Sequence, residues 1–511
     1  MSGRFNLLDL AVLLAYLGGT TALGMWIGRD QKNATDYFVA DRAIPWWAVL
    51  FSIVASETSA LTFISVPGLA YTGNLGFLQV VAGYIVGRFV VAFTLLPRYF
   101  NGNLVTAYAL LETRFGLTTR RFTSIVFMIT RAMADAVRVF ATAIPVALII
   151  GPVLPKEYTM PAAIVVLGAL TVIYTYRGGM KAVVWTELLQ ATIYLLGGIS
   201  ALVLIGQSVV GGWSTIIERA GAAGKLQTIS WYTGFDQPHT MFAGLIGGAF
   251  LAMASHGADQ IIVQRLLSSR SLKQAQVAII GSGFAVFAQM TLFLFVGLGL
   301  WVLYEGRPFS AADQIFPTYI IERMPHGLIG LIVAAIIAAT MSTHSGAINA
   351  LAASSTHDIY LPFTKRSPDD PRTLQVGKRF ALAWGILLTA GALMFKDNGT
   401  PVVVVALSIA SFTQGGLLGG FFLGMFWKRA IQRDAILGMS VGISCMAFIV
   451  FAKQIVAAYP SMASTLGGVA TIAWPWYVLI GLSITFVTGV LSSFTHAAQF
   501  DVPPPSTRTR A

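Results

Sequence analysis

Long uncharged stretches recur along the whole chain. Apolar windows of 18 or more residues fall at roughly 7–28, 46–73, 75–100, 121–150, 158–176, 182–208, 239–266, 273–303, 323–356, 375–396, 401–426, 432–454 and 474–496. Each is long enough to cross a bilayer as a helix. The pattern predicts an all-α polytopic membrane protein with about thirteen transmembrane helices. Polar residues inside these windows are the exceptions, and they carry the chemistry.

The ninth window continues from oily sequence into Ala-Thr-Met-Ser-Thr-His-Ser-Gly-Ala-Ile-Asn, residues 339–349. Hydroxyls at Thr340, Ser342, Thr343 and Ser345, followed by Asn349, crowd positions where lipid-facing side chains belong. Neutral oxygens in hydrocarbon need partners. Stacked on successive turns, they suit a partly dehydrated alkali cation, because hard cations prefer oxygen. They equally suit bonding back to their own helix or packing against a neighbour. Residue type alone leaves both readings open.

In the second window, Glu57 lies near the centre, flanked by Ser56, Thr58, Ser59 and Thr62, with Pro67-Gly68 further on. An intramembrane carboxylate costs at least about 2.5 kcal/mol, so it needs a partner or a wet cavity. Hydroxyls, a charge and helix breakers together predict an unwound segment whose freed carbonyls line a cavity, as in secondary transporters. The alternative is a kinked helix with one satisfied glutamate. The fourth window holds Arg131, Asp135 and Arg138. Arg131 and Asp135, four apart, share a helix face and can pair. Arg138 can pair with Asp135 or grip a solute carboxylate bidentately. Arg88, in the third window, is expected to be paired or to snorkel.

Composition agrees with membrane residence. Hydrophobic residues make up 56% of the 511 and charged ones 11%, and mean hydropathy is +0.73. The first window is too long, and lacks the small-residue cleavage site, for a removable signal peptide. A single cysteine, Cys445, excludes an internal disulfide. The net charge of +12 reports orientation rather than nucleic-acid binding. With the amino terminus outside and the carboxyl terminus cytoplasmic, 22 of the 33 Lys and Arg, Arg265 among them, fall in interior connections or the window ends beside them, 8 on the exterior side, and 3 (Arg88, Arg131 and Arg138) deep within windows. That split follows the positive-inside rule and predicts a cell (inner) membrane protein.

No connection is long enough to be a soluble domain. The segment 209–238 is either an ordered lid or a surface loop, 365–372 a turn-rich linker, and the Pro503-Pro504-Pro505 tail disordered. Three other function classes are disfavoured. A sensor of this type needs an output domain, and the chain ends soon after the last window. A channel needs an open polar pathway. An intramembrane enzyme needs a nucleophile–base pair or metal cluster, and His344 and His357 come with no cysteine or HExxH pattern. Since His344 neighbours the hydroxyl cluster, proton coupling is the alternative to a metal cation.

Two further stretches complete a recognisable set: Tyr174-Thr-Tyr-Arg-Gly-Gly-Met-Lys-Ala-Val-Val-Trp-Thr-Glu-Leu-Leu-Gln190 and His256-Gly-Ala-Asp-Gln-Ile-Ile-Val-Gln-Arg265. With the second and ninth windows they resemble the solute:sodium symporter family, which includes sodium-coupled glucose, proline, pantothenate and sialic acid carriers. The resemblance covers roughly residues 7–455 in order and spacing.

It implies two inverted five-helix repeats with discontinuous helices. The first would span 46–208 and the second 239–430, after a first helix and connector (1–45) and around an external segment (209–238). Two peripheral helices (431–500) and a tail (501–511) would follow. It implies a sodium ion bound by the carbonyls of Ala55, Thr58 and Ala339 and the hydroxyls of Ser342 and Thr343. Some relatives hold a second sodium through the acid of the Trp-Thr-acid motif. Here that acid is Glu187, where aspartate is usual, and Gly346 replaces a serine. One sodium is therefore expected, with Ser345 and Glu187 as secondary candidates. Solute contacts carried over are Ser59, Thr62, Phe77 and Arg138, the last matching an arginine that grips a substrate carboxylate. Glu57 occupies a usually neutral position and joins the candidates with Gln79 and Gln414. The implied function is sodium-coupled symport of a small solute by alternating access, with the solute unnamed and the oligomeric state open.

Overall fold

A computed structural model describes residues 6–29, 31–58, 60–102, 104–150, 154–395 and 402–496. Among them there is no β-strand, only an isolated bridge between Ile44 and Ser269. Eight helices are long and apolar enough to cross a membrane among the described residues, and shorter apolar helices accompany them.

The main helices are α1 (Leu7–Ile27), α2 (Trp46–Glu57), α3 (Ala60–Thr72), α4 (Phe77–Thr94), α5 (Leu117–Ile150), α6 (Lys156–Ser208), α7 (Gly248–Gly257), α8 (Gln260–Leu267), α9 (Leu272–Leu303), α10 (Leu328–Ser354), α11 (Pro371–Met394), α12 (Val402–Phe426), α13 (Gln432–Ala458) and α14 (Tyr477–Ser493). Local signals set several starts. Asn6, Asp259, Ser271 and Asp370 each cap a helix by accepting from a first-turn amide.

At 53 residues, α6 would run about 80 Å at 1.5 Å per residue, far beyond a bilayer. Gly179, with φ 52° and ψ −151°, bends it between the fifth and sixth predicted windows. A Cβ there would meet the Tyr37 carbonyl at 2.4 Å, so glycine is required twice over.

Two windows are discontinuous, one at the start of each expected repeat. The first break comes at Thr58, which is extended (φ −83°, ψ 99°) between α2 and α3. The second separates α7 from α8 around Ala258 and Asp259. The break in the second window therefore precedes Pro67-Gly68, the residues that pointed to it. Pro67 sits inside α3, where its carbonyl lies so close to Gly297 of α9 that a Cβ at Gly297 would come within 2.0 Å of it.

The α10 helix is the hub. Every residue from Ala334 to Ser354 is buried, and it packs against α1, α2, α3, α5, α6 and α8. Its start is fastened to α1: Asp9 Oδ1 accepts from the amides of Gly327 (2.7 Å) and Gly330 (2.9 Å). The 209–238 segment is tied down rather than loose. Lys225 donates to the carbonyls of Tyr71 and Gly73, and the Phe235 carbonyl accepts from Ala473 N at 2.7 Å.

Candidate functional site

The α10 helix, which carries the hydroxyl-rich turns, packs on both α2 and α3. The carbonyls of Ala55 and Thr58 fall where a helix end releases its acceptors. Ala55, Thr58, Ala339, Ser342 and Thr343 are all buried. Thr343 Oγ1 donates to the Ala339 carbonyl at 3.1 Å, and Ser342 Oγ donates to Glu187 Oε1 at 3.1 Å. Each hydroxyl thus spends its proton and keeps its lone pairs for a cation. Thr58 Oγ1 accepts from Gln289 Nε2 at 2.8 Å, which holds the side chain and leaves the main-chain carbonyl to act.

The Glu187 carboxylate is the centre of a sealed network. Arg265 Nη2 reaches its Oε1 at 2.5 Å and Arg265 Nε its Oε2 at 3.2 Å. Ser52, Ser56 and Ser342 donate to the same carboxylate. Arg265 was counted with the interior connections on sequence grounds; it is fully buried in α8. Gly346 makes room for it, since a Cβ there would sit 2.5 Å from Arg265 Nη2. Ser345 Oγ donates to the Ser342 carbonyl at 3.0 Å. A guanidinium already neutralises the carboxylate that relatives were expected to use for a second ion.

Glu57, at the end of α2, pairs with the buried Arg88, which also donates to Ser282 Oγ at 2.9 Å. His256 Nε2 of α7 lies 3.6 Å from the same carboxylate oxygen. The partner of Glu57 is therefore Arg88, while Arg138 lies elsewhere.

Arg138 lines a cavity bounded by α5, α12 and the α7–α8 break, together with Arg131, Asp259, Thr413 and Gln414. Among the described residues no ion pair or side-chain hydrogen bond closes on its guanidinium. Two sequence candidates, Arg138 and Gln414, are thereby brought together. Phe77 and Gln79 are not in that lining. Phe77 packs edge-on against His239. Gln79 donates to the Gly76 and His239 carbonyls (3.1 and 3.0 Å) and accepts from Ser230 N (3.0 Å). Thr62 is partly buried on α3, and Ser59 lies outside the described residues.

Reasoning from sequence missed the Arg265–Glu187 pair and the Gln289 brace. A lone acid and a lone base in separate oily helices were the available signal.

Two interrupted helices in an all-helical membrane scaffold fit a secondary transporter. Residues 37–442 match the profile of the sodium:solute symporter family. The sodium/sialic acid symporter NanT of Aliivibrio fischeri is 32% identical over 454 residues, covering 87% of this chain and 88% of the relative. The sodium/sialic acid symporter SiaT of Proteus mirabilis is 30% identical, covering 86% and 88%. The solved outward-open, substrate-bound structure of a Na+-coupled sialic acid symporter superimposes with a TM-score of 0.82 at 27% identity, covering 97% of this chain and 99% of that one. The chain belongs to the sodium:solute symporter family. It is a multi-pass membrane protein that moves a small solute with sodium as the coupling ion.

Proposed function

We propose that this chain carries a small carboxylate-bearing solute into the cell with one sodium ion, by alternating access across the inner cell membrane. The single observation that carries the solute class is Arg138, a guanidinium facing a cavity with no fixed partner among the described residues. Arginine presents a rigid fork that fits a carboxylate through two parallel bonds. Sialic acid, named for the two relatives, is itself a carboxylate, which supports the same class.

Sodium sits in this scheme between the carbonyls of Ala55, Thr58 and Ala339 and the hydroxyls of Ser342 and Thr343. It joins the broken α2–α3 segment to α10 and favours the state in which the solute site is formed. Coupling follows only because the ion binds that state better than the alternative. Each charge carried inward gains about 2.3 kcal/mol per 100 mV of membrane potential. Gln414, in the same lining as Arg138, is the neutral polar contact for the rest of the solute. With the amino terminus outside, Arg138 lies one turn further toward the exterior than Asp135. The chain transports without chemically altering its cargo.

Purified protein in proteoliposomes, offered labelled sialic acid, lactate, proline and glucose, tests the reading. Uptake of at least one carboxylate should require sodium and vanish when choline replaces it at fixed pH. Arg138→Gln should impair that uptake more than tenfold and leave any glucose uptake unchanged. Equal loss for charged and neutral solutes refutes the carboxylate assignment. Undiminished sodium-dependent uptake in Ser342→Ala/Thr343→Ala refutes the ion site.

A further inference from the structure

Asp135 and His344 join α5, which carries Arg138, to α10, which carries the hydroxyl cluster. His344 follows Thr343 on α10, and Asp135 precedes Arg138 by one turn on α5. Both side chains are buried, with His344 Nδ1 and Asp135 Oδ2 2.8 Å apart. A carboxylate only accepts, so Nδ1 carries the proton and donates it. The other ring nitrogen, Nε2, is buried without a partner among the described residues. An apolar residue would avoid that cost, so a histidine here is spent on its contact with Asp135.

Asp135 has two guanidinia within reach on its own helix, Arg131 four residues before and Arg138 three residues after. It hydrogen-bonds to neither, and only a long ion pair with Arg131 forms. Arg131 Nη2 stays 3.9 Å from Oδ1, which has no hydrogen bond among the described residues. No ion pair with Arg138 forms among them. The one side-chain hydrogen bond of the carboxylate among the described residues runs to a ring on another helix.

We infer that His344 is a positioning residue for the solute. By holding Asp135 against α10, it keeps Arg138 open for a carboxylate. Without His344, Asp135 is free to turn onto Arg138, and an incoming solute has to displace it. Because His344 is bonded in sequence to Thr343, the ion-bearing turn of α10 and the solute-bearing turn of α5 are set by one contact. The inference rests on the reading of Arg138 as the carboxylate-binding group, and its test is independent of which solute is carried.

The test labels arginines of the full chain in detergent with 2,3-butanedione in borate, and follows adduct formation at Arg138 by peptide mass spectrometry. An ion-paired guanidinium reacts slowly and an unpaired one quickly. Arg138 should label readily in the native protein and at least fivefold more slowly in His344→Leu. Labelling should return to the native rate in His344→Leu/Asp135→Asn, where the competing anion is gone. His344→Gln, which retains an N–H donor, should label like the native protein. A purely structural role for His344 predicts no such rescue by Asp135→Asn. Native-like labelling in His344→Leu, or no labelling of native Arg138, overturns the inference. If His344→Leu fails to fold, Asp135→Asn alone must label at least as fast as native, and slower labelling overturns it. A normal labelling pattern beside unaffected carboxylate uptake in Arg138→Gln would sink the function reading alone.

Discussion

Removing one member of the Arg265–Glu187 pair should destabilise the protein far more than removing both. In Glu187→Gln the Arg265 guanidinium stays fully buried, with Nη2 and Nε facing an uncharged amide in place of a carboxylate 2.5 and 3.2 Å away. Breaking a buried pair from one side costs about 3–5 kcal/mol. That shifts the unfolding equilibrium by roughly two to three and a half decades at about 1.4 kcal/mol per decade. In Glu187→Leu/Arg265→Met no charge remains buried, and such replacements are often close to neutral. Three hydroxyls lose an acceptor, but Ser56 already donates to the Ser52 carbonyl at 2.8 Å and has an alternative. Ser342 and Ser52 then account for about 1 kcal/mol each. The expected order of thermal stability is native, then the double variant, then both single variants. Melting followed by fluorescence-detected size-exclusion chromatography at fixed sodium measures it. Single variants that melt with the native protein, or a double variant worse than either single one, would refute the account of the pair.

Other outcomes follow from the same geometry. Gly346→Ser puts a Cβ 2.5 Å from Arg265 Nη2, so the guanidinium has to move. A loss of about 1–3 kcal/mol by overpacking is expected in the same melting assay. Gln289→Leu removes the donor to Thr58 Oγ1 and should raise the sodium concentration needed for half-maximal thermal stabilisation, with little change in the melting temperature in choline. Gln79→Leu removes the two hydrogen bonds that fasten Ser230 and His239 to α4, and a third to Gly76. Faster amide exchange confined to roughly 226–240 should report it, and unchanged exchange there would contradict the anchoring role.

The helices were legible because hydrophobicity is a local property that each window displays by itself. Ser342 and Thr343 stood out for the same reason, being neighbouring hydroxyls in oily surroundings. The Arg265 pairing was not legible. It depends on Glu187, 78 residues earlier, and Arg265 lies at the end of a window, where a basic residue ordinarily marks the cytoplasmic side. An unwound segment in the second window was legible, but no single residue there marked its position. Pro67 carries a strong local signal, yet a proline is tolerated inside α3, where Gly297 of α9 lets its carbonyl approach closely. Thr58 carries no such signal, and its extended backbone is set by packing. Gln79 shows the converse: an amide in an apolar helix signals a polar contact, but only the fold reveals that main-chain groups of the 209–238 region and its flank supply it.

The Asp9 bonds to Gly327 and Gly330 make the first helix a fastener for the ion-carrying one. Whatever pulls on the amino terminus is transmitted to the root of that buried rod. A reporter protein or affinity tag joined directly before Asn6 therefore bears on the helix that carries the ion-binding hydroxyls.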